Sequence, residues 1–223
     1  QVYNANFSNP TNYTNQSGTI VLNISVVDAS LGIETVFFNI TNSTGNQNAT
    51  YTANREASSD AYNISVNTSH FPEGRYNITV FANDTLTAGQ NLNSTAVSLN
   101  VFFENTAPIV YDANISNPVA RGNYSGILVL NVSVVDVTTT IRAVVFNITN
   151  STGNQNATFT GIVIAGDAYN ATANTAHFPD GYYNITIFAN DTTSGGNVNS
   201  TAAVLNTIFD NTLPSITFSC TPT

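Results

Sequence analysis

Polar and apolar residues alternate with a period of two through most of the chain. The run Arg75 to Asp84 (RYNITVFAND) places Tyr76, Ile78, Val80 and Ala82 on one face, and the run from Thr19 does the same with Leu22, Ile24 and Val26. That is the pattern of a strand with one buried side. In the first half it predicts strands near 2–8, 19–28, 34–42, 48–53, 61–68, 75–83 and 95–103, separated by clusters of Gly, Pro, Asn and Asp. No stretch has helical periodicity.

The second half repeats the first. VYNANFSNP at Val2 returns as VYDANISNP at Val110, and NITNSTGNQNAT occurs unchanged at Asn39 and Asn147, both at an offset of 108. HFPEG and HFPDG, at His70 and His177, are 107 apart, as expected if small deletions fell in loops. A period near 107 is the size of a self-contained domain. The expected division is residues 1–106 as repeat 1, 107–212 as repeat 2, and 213–223 as a linker and the first strand of a further repeat, or a donor strand. Seven short strands in about 100 residues predict an all-β fold, two tandem seven-stranded immunoglobulin-like β-sandwiches joined end to end by a short linker.

The linker is ENTAP, in which Pro108 restricts Ala107 to extended conformations, and no Gly/Ser spacer follows. The expected product is a semi-stiff rod. After repeat 2 the linker returns as DNTLP, followed by SITFSCTPT. The strand expected at Ile216–Cys220 either begins a third sandwich or completes a neighbouring subunit by strand addition. The chain opens at Gln1 without Met, which reads as a processed or excised piece of something longer.

FPEGRYNITVFANDT (71–85) combined with the linking FFENTAP (102–108) resembles the tandem immunoglobulin-like repeats of prokaryotic, especially archaeal, cell-surface glycoproteins and extracellular filaments. The resemblance covers essentially the whole chain. It implies an extracellular, cell-surface location and further copies of the same module as partners, in a longer chain or a polymer.

Asn-x-Ser/Thr, the acceptor sequon for N-linked sugar, occurs 22 times, where the composition would give on the order of 8 by chance. Ten sites recur in both repeats: Asn6 with Asn114, Asn15 with Asn123, Asn23 with Asn131, Asn39 with Asn147, Asn42 with Asn150, Asn48 with Asn156, Asn63 with Asn170, Asn77 with Asn184, Asn83 with Asn190, and Asn93 with Asn199. Asn12 and Asn67 are extra. Asn is depleted in strands, yet many of these lie mid-strand. Pleat geometry resolves the conflict: Asn and Thr two apart point outward together while the residue between them, Ile24, Ile40, Ile64 or Ile78 in repeat 1, points into the core. The plainer reading is that Asn and Thr serve as neutral polar residues on solvent faces. Thr alone would satisfy that reading without the cost in strand propensity.

Phe37 and Phe81 precede Asn39 and Asn83 by two residues and so share their face, and Phe102 is expected on the same sheet. Val145, Phe188 and Ile208 hold these places in repeat 2. The rings either pack against the first sugar or form an apolar patch for packing modules.

Charged residues are 8% of the chain, and four Arg against 13 acidic residues, with no Lys, give a net charge of −9. Nucleic acid is excluded as a partner, since phosphate tracking needs clustered cations. No apolar run approaches a bilayer span, so no membrane insertion is expected within this segment. Strand edges normally protected by Lys are left to hydrated glycans. Cys220 is the only cysteine, which excludes an internal disulfide.

No nucleophile–base arrangement, carboxylate dyad, phosphate loop or redox motif is present, so catalytic residues and cofactors are expected to be absent. His70 and His177 read as turn residues. Asp28, Asp84 and Glu104, matched by Asp136, Asp191 and Asp210, are candidate calcium ligands at domain ends, though Asp is also an ordinary turn former at strand ends. The expectation is a non-enzymatic structural component of a heavily N-glycosylated filament, stalk or surface layer. The alternative is an adhesin binding a glycan or protein receptor through the loops that differ most between repeats.

Overall fold

The computed structural model describes residues 10–45, 47–57, 59–85, 92–93, 98–111, 119–150, 152–153, 155–199 and 204–220. The strand expected at 2–8 lies outside them. The chain divides into two compact units, Gln1–Thr106 with Thr192–Asn197, and Ala107–Asp191 with Val198–Thr223.

Strands of the first unit are β1 (Asn15–Gln16), β2 (Thr19–Ser25), β3 (Ile33–Asn42), β4 (Gln47–Thr52), β5 (Asn54–Arg55), β6 (Ala61–Asn67), β7 (Gly74–Asp84), β8 (Leu92–Asn93) and β9 (Ser98–Phe103). Those of the second are β10 (Ile109–Tyr111), β11 (Asn123–Tyr124), β12 (Ile127–Val135), β13 (Ile141–Asn150), β14 (Gln155–Thr160), β15 (Ile162–Ala165), β16 (Ala168–Asn174), β17 (Gly181–Asp191), β18 (Val198–Asn199) and β19 (Val204–Phe209).

In the second unit β10-β12-β16-β15 form one sheet and β11-β19-β17-β13-β14 the other, with β18 paired to β17. This is the A-B-E-D and G-F-C order of an immunoglobulin-like sandwich, extended at its edges by β11 and β14. The first unit repeats it, with β2-β6-β5 facing β1-β9-β7-β3-β4. The protein is all-β, built of two tandem β-sandwiches. Besides the long strands expected, it has two-residue strands at β1, β5, β8, β11 and β18.

Each core is closed by inward residues of both sheets. Leu22, Ile24, Phe38, Ile40, Ile78 and Phe103 are fully buried in one unit, and Leu130, Phe146, Ile148, Ile185, Ile187 and Phe209 in the other. The chain has no Trp and one Cys, so it lacks the tryptophan packed on a disulfide that marks antibody domains; an aromatic trio closes one end of the core. Tyr76 stacks on Phe103 at 4.6 Å, with Phe71 edge-on to both. The Tyr76 hydroxyl donates to the Pro72 carbonyl at 2.7 Å, and that of Tyr183 to Pro179 at 2.8 Å. This is the tyrosine corner of Greek-key sandwiches, and burial pushes both phenols above their ordinary pKa.

Some strand ends differ from the expected ones for local reasons. The strand expected to reach residue 28 stops at Ser25, ahead of a turn in which Asp28 Oδ1 accepts from the Ser30 and Leu31 amides. The strand expected through 68 stops at Asn67, whose side chain caps the 3-10 turn Thr68–His70. Residues 213–220 form no strand with either unit, and Leu213, Ile216 and Phe218 are exposed; the strand expected at Ile216–Cys220 would pair with a third sandwich or a neighbouring subunit, which these two units do not test.

Candidate functional site

The sequons are distributed over the solvent faces of both sandwiches. Their middle residues Ile24, Ile40, Ile78, Val132, Ile148, Ala171 and Ile185 are buried, and Ile64 is partly buried against the core. The flanking Asn side chains alternate outward. Asn12, Asn15, Asn67 and Asn123 are exposed, while Asn23, Asn39, Asn42, Asn63, Asn77, Asn83, Asn93, Asn131, Asn147, Asn150, Asn170, Asn184, Asn190 and Asn199 are half-exposed among their neighbours. Asn6 and Asn114, and the side chains of Asn48 and Asn156, lie outside the described residues.

Several sequons engage their carbonyl oxygen, the atom that sugar does not need. Asn42 Oδ1 accepts from Thr44 Oγ1 at 2.6 Å, and Asn150 Oδ1 from Thr152 Oγ1 at 2.6 Å, each within one sequon. Asn39 Oδ1 accepts from Thr50 Oγ1 at 2.7 Å and Asn147 Oδ1 from Thr158 Oγ1 at 2.9 Å, joining sequons on neighbouring strands. Others among the described residues use the nitrogen. Asn63 Nδ2 donates to Glu56 at 2.6 Å, Asn83 Nδ2 to Glu34 at 3.4 Å, and Asn199 Nδ2 to the Pro108 carbonyl at 2.8 Å.

The expected aromatic patch is split. Phe37 lies directly across from Phe81 and the rings stack at 5.3 Å. Phe102 instead faces Arg75, whose guanidinium sits 6.0 Å over its ring. Arg75 and Phe81 are six residues apart on β7, roughly 20 Å along the strand. The second unit splits likewise, Val145 facing Phe188 and Ile208 facing Tyr182. Alternation fixed the face of each residue, but inter-strand register decides which of them meet. With Val145 in place of a second ring, a shallow hollow of about 240 Å³ opens, lined by Ala143, Val145, Phe188, Ala189, Asn190 and Val198.

Among the candidate calcium ligands, Asp28 and Asp136 act as turn formers. Asp28 Oδ1 collects the Ser30 and Leu31 amides, with Leu31 the largest cause of a carboxyl held below its ordinary pKa, and Asp136 Oδ1 collects those of Thr138 and Thr139. Asp28 and Asp84 line one hollow of about 280 Å³ in the first unit. In the second, carboxylate oxygens of Asp136 and Asp191 lie within 4.8 Å of each other, close enough to share a hard cation. Glu104, fully buried, accepts from the Thr106 amide at 2.8 Å, and exposed Asp210 from that of Thr212 at 3.2 Å. His70 and His177 are exposed at the ends of matching 3-10 turns.

One arrangement was not anticipated. The acidic residue of each HFP[ED]G turn, just before Gly74 (φ 152°) or Gly181 (φ 154°), clamps the segment by which the chain leaves its module. Glu73 Oε1 accepts from the Asn105 amide at 2.9 Å and from Thr106 Oγ1 at 2.5 Å. Asp180 Oδ1 accepts from the Asn211 amide at 2.7 Å, and Asp180 Oδ2 from Thr212 Oγ1. Beneath them the Asn side chain closes on a fully buried threonine: Thr68 Oγ1 donates to Asn105 Oδ1 at 2.6 Å, and Thr175 Oγ1 to Asn211 Oδ1 at 2.8 Å. The available signal was that both repeats keep an acid in the turn, Glu73 or Asp180, and Asn-Thr in the linker.

Both clamp carboxyls are held below the ordinary range. For Glu73, burial is the largest influence and pulls upward, but the hydrogen bonds from Thr106 and the Asn105 amide together outweigh it; for Asp180 the Thr212 hydroxyl dominates, followed by the Asn211 amide. A depressed folded pKa means that the clamp contributes above the unfolded value, near pH 4, and is lost as pH falls through the lower folded value. After correction for intrinsic rates, amide exchange at Asn105 and Asn211 is expected to accelerate near pH 3 relative to pH 6, while core amides do not. Asp180→Asn should remove the pH dependence at Asn211.

No protein-family model and no curated protein matches the sequence. Among solved structures the chain is similar to the fibronectin(III)-like modules of Clostridium thermocellum CbhA, at 14% identity over 95% of this chain and 94% of that one, with a TM-score of 0.47. It is also similar to a chimeric titin Z1Z2–Z1Z2 tandem, at 12% identity over 91% and 95% of the two chains, with a TM-score of 0.26. At this distance the likeness is one of fold alone, and the strand order carries the immunoglobulin-like assignment.

Proposed function

We propose that the protein is a non-enzymatic structural component of a heavily N-glycosylated extracellular filament, stalk or surface layer, of the kind found on prokaryotic and especially archaeal cells. The observation that supports this most is the alternation of buried core residues with outward Asn and Ser/Thr on the long strands of both units. Sugar on those faces would shield sheet surfaces and edges that carry almost no charge. The load is borne by the sandwiches, and covalent N-linked glycans are the only added groups the role requires. If the coat is protective, stripping the glycans should lower solubility while the far-ultraviolet strand signal persists. Unchanged solubility would remove the protective role.

A second reading, an adhesin, is favoured by one feature. Where repeat 1 has the two-residue β5 with its Arg55–Asp60 ion pair at 3.5 Å, repeat 2 has the uncharged edge strand β15, with Ile162, Val163 and Ile164 all more than half exposed. Such an edge is open to an added strand. Receptor binding abolished by grafting residues 54–60 over this segment would favour the adhesin; helical order in isolated fibres would favour the filament.

A further inference from the structure

We infer that each sandwich carries one glycan, not two, on a facing pair of acceptors, Asn23 with Asn63 in the first unit and Asn131 with Asn170 in the second, and that in the first unit Asn23 bears it. The inference rests on the glycoprotein reading and specifies which of its sites are filled.

The register of the two sheets differs in a way the sequence does not display. Between β3 and β7 the sequons are staggered: Asn39 faces Thr79 and Thr41 faces Asn77, with Asn147 facing Thr186 and Thr149 facing Asn184 in the second unit. Each acceptor there meets a hydroxyl, and the nearest acceptor is diagonal, about 7–8 Å away. Between β2 and β6 there is no stagger. Asn23 faces Asn63, Ser25 faces Ala61 and Ser65 faces Val21; Asn131 likewise faces Asn170.

Directly opposed residues hold their Cβ atoms about 4.5–5.5 Å apart and point the same way. A pyranose with its ring substituents is wider than that gap, and the planar amide that carries it bends little. Two sugars on one pair would force apart β2 and β6, which carry most of the described pairing of their sheet. The order of events does not matter. If the chain folds first, the first sugar blocks the second; if sugar comes first, a doubly modified chain cannot zip β2 to β6.

Within the first pair the acceptors are unequal. Asn63 lies on the middle strand, with Asn54 facing it from β5, and its Nδ2 donates to Glu56 at 2.6 Å. Asn23 lies on β2, one strand further from β5 and from Glu56. In the transfer, the amide nitrogen attacks the anomeric carbon of a lipid-phosphate-linked glycan. The C–N bond forms, the phosphate leaves with the C–O electron pair, and one N–H proton passes to base. At Asn63 that proton would come from a nitrogen already committed to Glu56, with the sugar pressed against β5.

The test is site occupancy by glycopeptide mass spectrometry after expression in a host that glycosylates Asn-x-Ser/Thr, with Asn42 and Asn150 as loop references. The expected occupancies of Asn23 and Asn63 sum to about one, Asn23 being the larger, and those of Asn131 and Asn170 sum to about one. Ser25→Ala, which removes the first sequon but keeps Asn23, should raise Asn63 occupancy several-fold; Asn23→Gln should do the same. A sum well above one, a sum near zero while Asn42 is filled, or an Asn63 indifferent to both variants would overturn the inference, and a wild type dominated by Asn63 would overturn the choice of Asn23. Bare Asn42 and Asn150 would instead overturn the glycoprotein reading itself.

Discussion

Phe209→Ala is expected to lower the stability of its sandwich by roughly 3–5 kcal/mol, the range for truncating a fully buried phenylalanine. The ring has no exposure, stacks on Tyr183 at 4.5 Å and meets the edge of Phe178 at 5.4 Å. Removing it empties the middle of the aromatic trio and leaves Tyr183 without the surface that holds its hydroxyl on Pro179. Domains of this size are stable by only about 5–15 kcal/mol, so the variant should unfold at a much lower urea concentration with an unchanged denaturant slope. Phe188→Ala, on the outer face and half-exposed, is the control and should cost under about 1.5 kcal/mol. Equal losses from the two variants would mean that the inner and outer faces are misassigned.

The second large effect is expected at the clamp. Asn211 Nδ2 donates to the Thr175 and Phe178 carbonyls at 3.0 and 3.3 Å while its Oδ1 accepts from the fully buried Thr175 hydroxyl. Asn211→Ala removes all three bonds and leaves the Phe178 carbonyl short of a donor where water enters poorly, while the Thr175 carbonyl keeps only the Phe178 amide. The expected cost is about 1–3 kcal/mol, together with faster amide exchange through Asn211 and Thr212. Asn105→Ala should behave in the same way, since its Nδ2 donates to the Thr68 carbonyl at 3.2 Å. Variants as stable as the wild type would show that the linker is held by packing alone.

Side-chain alternation made the long strands readable, because a period of two reports which face each residue occupies, and Ile24, Ile78 and Ile185 lie where it places them. It carries no information on which strand is the neighbour or how the two are aligned. For that reason the split between the Phe37–Phe81 stack and Phe102, and the opposition of Asn23 to Asn63, emerged only with register. Two-residue strands such as Asn15–Gln16 and Asn54–Arg55 are too short to show a period and are defined by the partner they pair with. The clamp joins a turn to a linker about 32 residues later in sequence, a tertiary contact with no local signature beyond recurrence in the second repeat.

The measurement that bears most directly on the glycoprotein account is the intact mass of this chain from a glycosylating host, before and after removal of N-linked sugar. The account predicts an excess of many kilodaltons over the 23.7 kDa polypeptide, lost on deglycosylation. A starting mass equal to that of the bare chain would contradict it.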